Sequence, residues 1–152
     1  MLTFAEYEIM SLATEDLYGM WELLWRVNTS FRDKTPEERV ALADSVARRL
    51  LADGLIEIYR VDQRRRLGVP VSESLKMSEK ERQEASSRVD ERYPADVLLS
   101  PEEVYELLDD PGIWEPTGPV YVGFFATDAG VEAYHATPYP HPDGDFRLSE
   151  PL

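Results

Sequence analysis

Few side chains in this sequence could do chemistry, and their spacing argues against catalysis. His135 and His141 are the only imidazoles, six residues apart around a proline-rich stretch. No helical i, i+4 pair or thiolate accompanies them, so a metal's ligand set is incomplete. The chain has no cysteine, which removes disulfides and thiolate nucleophiles and fits a reducing compartment. Neither a phosphate-cradling glycine loop nor a nucleophile elbow is present. Asp143, Gly144 and Asp145 lack the oxygen spacing of a calcium loop. Carboxylates are plentiful, 30 in 152 residues, so a pair of them does not by itself mark an acid/base couple. The expectation is a noncatalytic protein with no cofactor and no metal.

Charge is the stronger signal. The net charge is −14, and it is unevenly spread. Residues 14–66 balance ten basic against ten acidic side chains, whereas residues 67–152 carry 6 basic and 18 acidic, a net of −12. Such a field repels nucleic acid and lipid headgroups and attracts cationic proteins within roughly a Debye length, about 8–10 Å. The densest acidic stretch is Glu102, Glu103, Glu106, Asp109, Asp110 and Glu115. It reads either as a surface for a basic partner or as a solubilising face with Glu102 and Glu103 at a helix start. The one-sided charge exceeds the magnitude of about 2–8 that solubility asks of a small domain. The basic candidates are Arg48 and Arg49 on a helix and the run Arg64, Arg65, Arg66 after a strand. They read as nucleic-acid contacts or, more simply, as a solvated turn and as partners of Asp44 and Asp53.

The elements that must position these residues announce themselves by cap chemistry. Thr3 with Glu6, Thr35 with Glu38, Ser78 with Glu81 and Ser100 with Glu103 place a hydroxyl three residues before a glutamate, the spacing of a capping box. Pro36 and Pro101 stand at the first helical position, where a missing N–H costs nothing. Helices are expected at 4–12, 36–53, 79–92 and 101–108, and another at 15–28, started by Thr14 with Glu15 and Asp16 on its positive dipole end. In that helix Leu17, Met20, Trp21, Leu24 and Trp25 share a spacing that reads as the central core face, with both tryptophans in the core. Val40, Ala43, Val46, Ala47 and Leu50 form the stripe of the next helix, and Gly54 is its left-handed cap. After Gly54 the period changes from 3.6 to 2, giving a strand through Leu55–Val61, and a second strand runs through Val120–Thr127 as its antiparallel partner. Thr127, Asp128, Ala129 and Gly130 lead into a short helix. Trp114 is expected to cover a small core of the intervening segment.

The order helix, helix, Leu50-Leu51-Ala52-Asp53-Gly54-Leu55-Ile56-Glu57, strand, strand, Thr127-Asp128-Ala129-Gly130-Val131-Glu132-Ala133 resembles winged helix-turn-helix proteins of the MarR and PadR kind. The resemblance covers about residues 14–61 and 120–134. It implies a DNA-binding transcriptional regulator whose recognition helix is the one opened by Pro36. Here that helix opens with Glu37 and Glu38, at the end that normally approaches base edges between phosphates.

The sequence therefore predicts an α+β architecture: a winged-helix-like helical core with a two-stranded antiparallel wing and a helical acidic insertion. Residues 1–136 form a single domain, with the insertion at 63–118 between the wing strands, and residues 137–152 form a Pro-rich extended tail with few anchors. No apolar run is long enough to cross a bilayer, and Glu6 and Glu8 precede the first basic residue, Arg26, unlike a signal peptide. A cytoplasmic location without membrane contact is expected. The leading functional expectation is an acidic binding protein that engages a basic protein partner through residues 96–115, as an inhibitor or immunity-like factor would. The alternative is a winged-helix DNA-binding regulator using the arginines. For a homodimer, the first helix with Phe4, Tyr7, Ile9 and Met10 is the segment to offer.

Overall fold

Local capping decides most helix starts. A computed structural model describes residues 1–62, 76, 78–81, 84 and 96–139. Thr3 accepts from the Glu6 N–H at 3.3 Å and opens α1, Phe4–Ala13. Thr35 and Glu38 form a reciprocal capping box at the start of α3, Pro36–Ala52. The same box, Ser100 with Glu103, starts α4, Pro101–Leu108. Thr127 accepts from the Gly130 N–H at 3.1 Å and starts α5, Asp128–Ala136. Ser78 caps Glu81 as expected, and residues 79–81 and 84 are helical. The remainder of that anticipated helix lies outside the described residues.

The second helix departs from expectation. Thr14 does not start it: the Thr14 N–H donates to Met10 O at 3.0 Å and closes α1. The chain then turns, with Asp16 Oδ1 accepting from the Leu17 N–H at 2.7 Å, and forms a two-residue strand β1, Tyr18–Gly19, before α2, Met20–Ser30. The Gly19 N–H donates to Glu22 Oε2 at 2.8 Å, so the glutamate three residues on supplies the acceptor at this start. The helix begins five residues late, and its core face is Met20, Leu23 and Val27. Trp21 is only partly buried and Trp25 is 57% exposed. These rings follow buried positions by one or two residues, and each residue turns the helix by about 100°. On α3, Val40 is exposed although it lies within about 20° of the buried Ala47 on the same stripe, while Ala43, Val46, Ala47 and Leu50 are buried as expected.

Gly54 ends α3 with φ +70°, a conformation that suits a residue without Cβ. The Leu55 N–H then reaches back to Leu50 O at 2.9 Å and launches β2, Ile56–Asp62. β2 pairs antiparallel with β4, Val120–Ala126, from Ile56 opposite Ala126 to Asp62 opposite Val120. The register puts Ile56, Ile58, Phe124 and Ala126 on one face, and all four are buried against the helices. The sheet is larger than a two-stranded wing. β1 joins β4 through Tyr18–Phe124 and Gly19–Gly123, and β3, Asp96–Leu98, joins β2, giving the antiparallel order β1-β4-β2-β3. The architecture is α+β.

The segment between the long strands is not a separate lobe where it is described. Leu99, Val104, Leu108 and Trp114 belong to the same buried cluster as α1, α2 and α3, so Trp114 seals the main core and not a private one. The tail also gains anchors that proline-rich composition conceals. Thr137 is buried, accepting from the Leu2 N–H at 3.2 Å and donating to Ala133 O at 2.8 Å. Tyr139 meets Phe4 and Tyr7 edge-on, and Tyr7 stacks on Tyr134 with centroids 4.7 Å apart. These contacts fasten α5 to α1. Phe4, Ile9 and Met10 are consequently buried within the chain and are not a surface offered to a second copy.

Candidate functional site

α4 is amphipathic. Val104 and Leu108 point into the core, with Tyr105 and Leu107 packed against it. Glu102, Glu103 and Glu106 are exposed, and Asp109, Asp110 and Glu115 continue the exposed acidic series past the helix end. All six expected carboxylates thus lie in one continuous stretch at the surface, but they do not have equal freedom. Glu103 closes the capping box, and the Ser100 backbone N–H, followed by its hydroxyl, lowers the Glu103 carboxyl below its usual range, with Arg60 adding a smaller pull. Asp109 accepts from Arg48 at 2.9 Å. Asp110 Oδ1 accepts from the Gly112 N–H at 2.9 Å and starts a 3-10 turn, Pro111–Trp114. Glu102, Glu106 and Glu115 have no cation within salt-bridge distance among the described residues.

Arg48 and Arg49 do not share one cationic face. Arg48 bonds both Asp44 and Asp109 at 2.9 Å and lies 6.0 Å from the Tyr105 ring centroid. These carboxylates, Asp44 first, raise its pKa further and hold it charged. Arg49 does not pair with Asp53 as expected. It points toward α1 and donates to Glu6 at 2.9 Å, because Glu6 is 5% exposed and its carboxylate would otherwise be buried without a cation. Neighbouring helical positions point about 100° apart, so Arg48 serves α4 and Arg49 serves α1. Arg64, Arg65 and Arg66 lie outside the described residues, as do His141, Asp143, Gly144 and Asp145.

The sequence reading missed two features. Glu6 and Glu8 serve as internal anchors. Glu8 accepts from Arg26 at 3.0 Å and from the Tyr139 hydroxyl at 3.3 Å. Only the three-dimensional approach of α2, for Glu8, and of α3, for Glu6, reveals these roles. The second feature is a pair of hollows flanking Tyr18 and Glu22. One, about 220 Å3, is lined by Leu12, Trp25 and Arg26; the other, about 290 Å3, by Leu17, Trp21 and Tyr121. Trp21 lies over Gly19, where a Cβ would come within 2.0 Å of its ring, and meets Tyr121 edge-on at 5.1 Å. The signal for these hollows is Gly19 three residues before Glu22, a helix start that competes with Thr14 and exposes the tryptophan face.

Among the described residues no group of three histidine, aspartate or glutamate side chains is placed to hold a metal ion. No helix among them is long and apolar enough to cross a membrane. No family model matches the chain, and no curated protein or solved structure matches it.

Proposed function

We propose that this chain is a noncatalytic acidic binding protein that engages a basic protein partner through residues 96–115 and masks it, as an inhibitor or immunity-like factor does. One observation carries the reading. Glu102, Glu106 and Glu115 are exposed and have no cation within salt-bridge distance among the described residues, whereas Arg26, Arg48 and Arg49 each already hold a carboxylate at 3.0 Å or less. Uncompensated surface charge steers an oppositely charged partner and sets its orientation. The rigid backing of Val104, Leu108 and Trp114 means little ordering entropy is spent on presenting those carboxylates. The helical order α2, α3 followed by β2 and β4 supports kinship with winged-helix proteins, which we propose as the origin of the scaffold and not of its activity.

The test uses an acetylated octa-lysine peptide and a mixed-sequence DNA duplex as probes at about 0.15 M salt. Neutralising Glu102, Glu106, Asp110 and Glu115 to their amides should weaken peptide binding at least tenfold. A charge-matched control that neutralises the exposed Asp33, Glu37, Glu84 and Glu132 should change it less than threefold. Equal losses in the two variants would show a nonspecific field and sink the reading. So would micromolar duplex binding abolished by changing Arg64, Arg65 and Arg66 to alanine, the behaviour of a DNA-binding regulator.

A further inference from the structure

We infer that the hollow between Trp25 and Glu22 is an anchor for one arginine or lysine side chain of a cationic polypeptide. Trp25 is the most exposed of the aromatic side chains described and stands 57% open on a rigid helix. It borders a concavity of about 220 Å3 whose floor and walls include Leu12, Tyr18, Glu22, Arg26 and Thr29. Each part suits a long cationic side chain. The methylene stem packs along Leu12 and the indole, as such stems do on apolar surface. The charged head meets a π face, most favourable for tryptophan. Glu22 uses one carboxylate oxygen, Oε2, for the Gly19 N–H; the other is the ionic acceptor. Tyr18 brings a second carboxylate, since its hydroxyl donates to Glu15 at 3.2 Å.

Among the described residues the one cation lining the hollow, Arg26, is neutralised by Glu8 at 3.0 Å, so the local field stays negative. That sign selects the occupant. A nucleobase could stack on the same indole, but its phosphates would face Glu15 and Glu22 as well as a chain of net charge −14. Tryptophan is also a residue type on which binding energy concentrates. The site lies close to the acidic stretch. Gly118 lines the adjoining hollow with Trp21 and Glu22, and Glu115 is three residues before it, a chain span of at most about 11 Å. One extended basic segment can therefore meet both. The inference rests on the proposed function only for the sign of the partner's charge.

The test is a titration of the whole protein with an acetylated hexa-arginine peptide, read by tryptophan emission and by calorimetry. Trp25→Ala should weaken binding roughly five- to thirtyfold. Trp25→Phe, which keeps a π face, should stay within about threefold of the parent. Glu22→Gln, which keeps an acceptor for the Gly19 N–H, should weaken binding at least threefold. Circular dichroism of each variant should match the parent, since Trp25 contributes little to the core. If Trp25→Ala binds like the parent while neutralised Glu102 and Glu106 do not, the anchor is wrong and the acidic-stretch reading survives. If Trp25→Ala fails and the neutralised stretch is unaffected, the anchor stands and that reading falls. A single-stranded oligonucleotide that quenches Trp25 more tightly than the peptide overturns the cationic assignment. So does a concentration-dependent dimer that Trp25→Ala dissolves.

Discussion

Substituting Gly130 by alanine tests how the last strand is locked to the helical core. Gly130 is buried in the first turn of α5. A Cβ built there falls 2.0 Å from the Leu55 carbonyl oxygen, 2.8 Å from Met10 Cε and 3.0 Å from the Leu55 carbonyl carbon. The methionine end can swing away, but the Leu55 backbone cannot, because it carries the turn from α3 into β2. Relief to ordinary contact needs a retreat of roughly 1–1.5 Å. That movement strains the junction bonds from the Thr127 N–H to Leu55 O at 3.0 Å and from the Thr127 hydroxyl to Gly54 O at 2.6 Å. Overpacking costs about 1–3 kcal/mol, and two weakened bonds cost about 2 kcal/mol more. Alanine returns about 1 kcal/mol through helix propensity. The net expectation is a loss of about 2–4 kcal/mol in urea unfolding followed by far-ultraviolet circular dichroism, with the denaturant slope unchanged. Gly54→Ala is the internal comparison. There φ is +70° and nothing lies within 4 Å of the new Cβ, so only the left-handed conformation is penalised, about 1 kcal/mol. A Gly130→Ala protein as stable as the parent, or more so, would mean that helix propensity alone governs the position and would refute the junction argument.

Three further outcomes are expected. Arg49→Ala should cost about 2–3 kcal/mol because it leaves the buried Glu6 carboxylate without its cation, whereas Glu6→Gln, which keeps an acceptor and leaves Arg49 solvated, should cost less; thermal or urea unfolding in the reverse order would contradict the pairing. Ser100→Ala removes the α4 cap and should cost about 1 kcal/mol, while lowering octa-lysine binding measured by calorimetry, because that helix presents Glu102 and Glu106; an unchanged affinity would separate the helix from the binding surface. The Glu57 carboxylate bonded to its hydroxyl, then burial, push Tyr59 up to about 12. Since an unfolded tyrosine ionises near pH 10, this contribution is complete below about pH 10 and is lost as pH rises to about 12. Alkaline unfolding curves should therefore fall more steeply for the parent than for Tyr59→Phe, and parallel curves would remove the assignment.

The legible parts of the molecule are those in which cause and effect lie within a few residues. Thr35, Pro36 and Glu38 announce α3; Ser100, Pro101 and Glu103 announce α4; Gly54 marks a reversal of chain direction; and the alternation after it identifies β2. A capping box needs only its own backbone, so its outcome does not depend on the rest of the chain. The acidic stretch was legible for the same reason, since its residues share one helix and the turn that follows. Less was legible where a residue had two local options. Thr14 and Gly19 each precede a glutamate that can serve a helix start, and helical spacing decides neither between them nor whether the stripe of Met20, Leu23 and Val27 or that of Trp21, Leu24 and Trp25 faces the core.

Composition and local pattern by themselves determined the sign of the protein's field, the cap-defined starts of α1, α3, α4 and α5, and the pairing of its two long strands. Tertiary structure decided which carboxylates stay uncompensated, which arginine meets Glu6, why Trp25 stands open, and that β1 and β3 complete the sheet. The division has a physical reason. Caps and alternation act over three or four residues, whereas ion pairing and burial depend on which distant surfaces come within about 4 Å. That proximity is set by the packing of all the elements together.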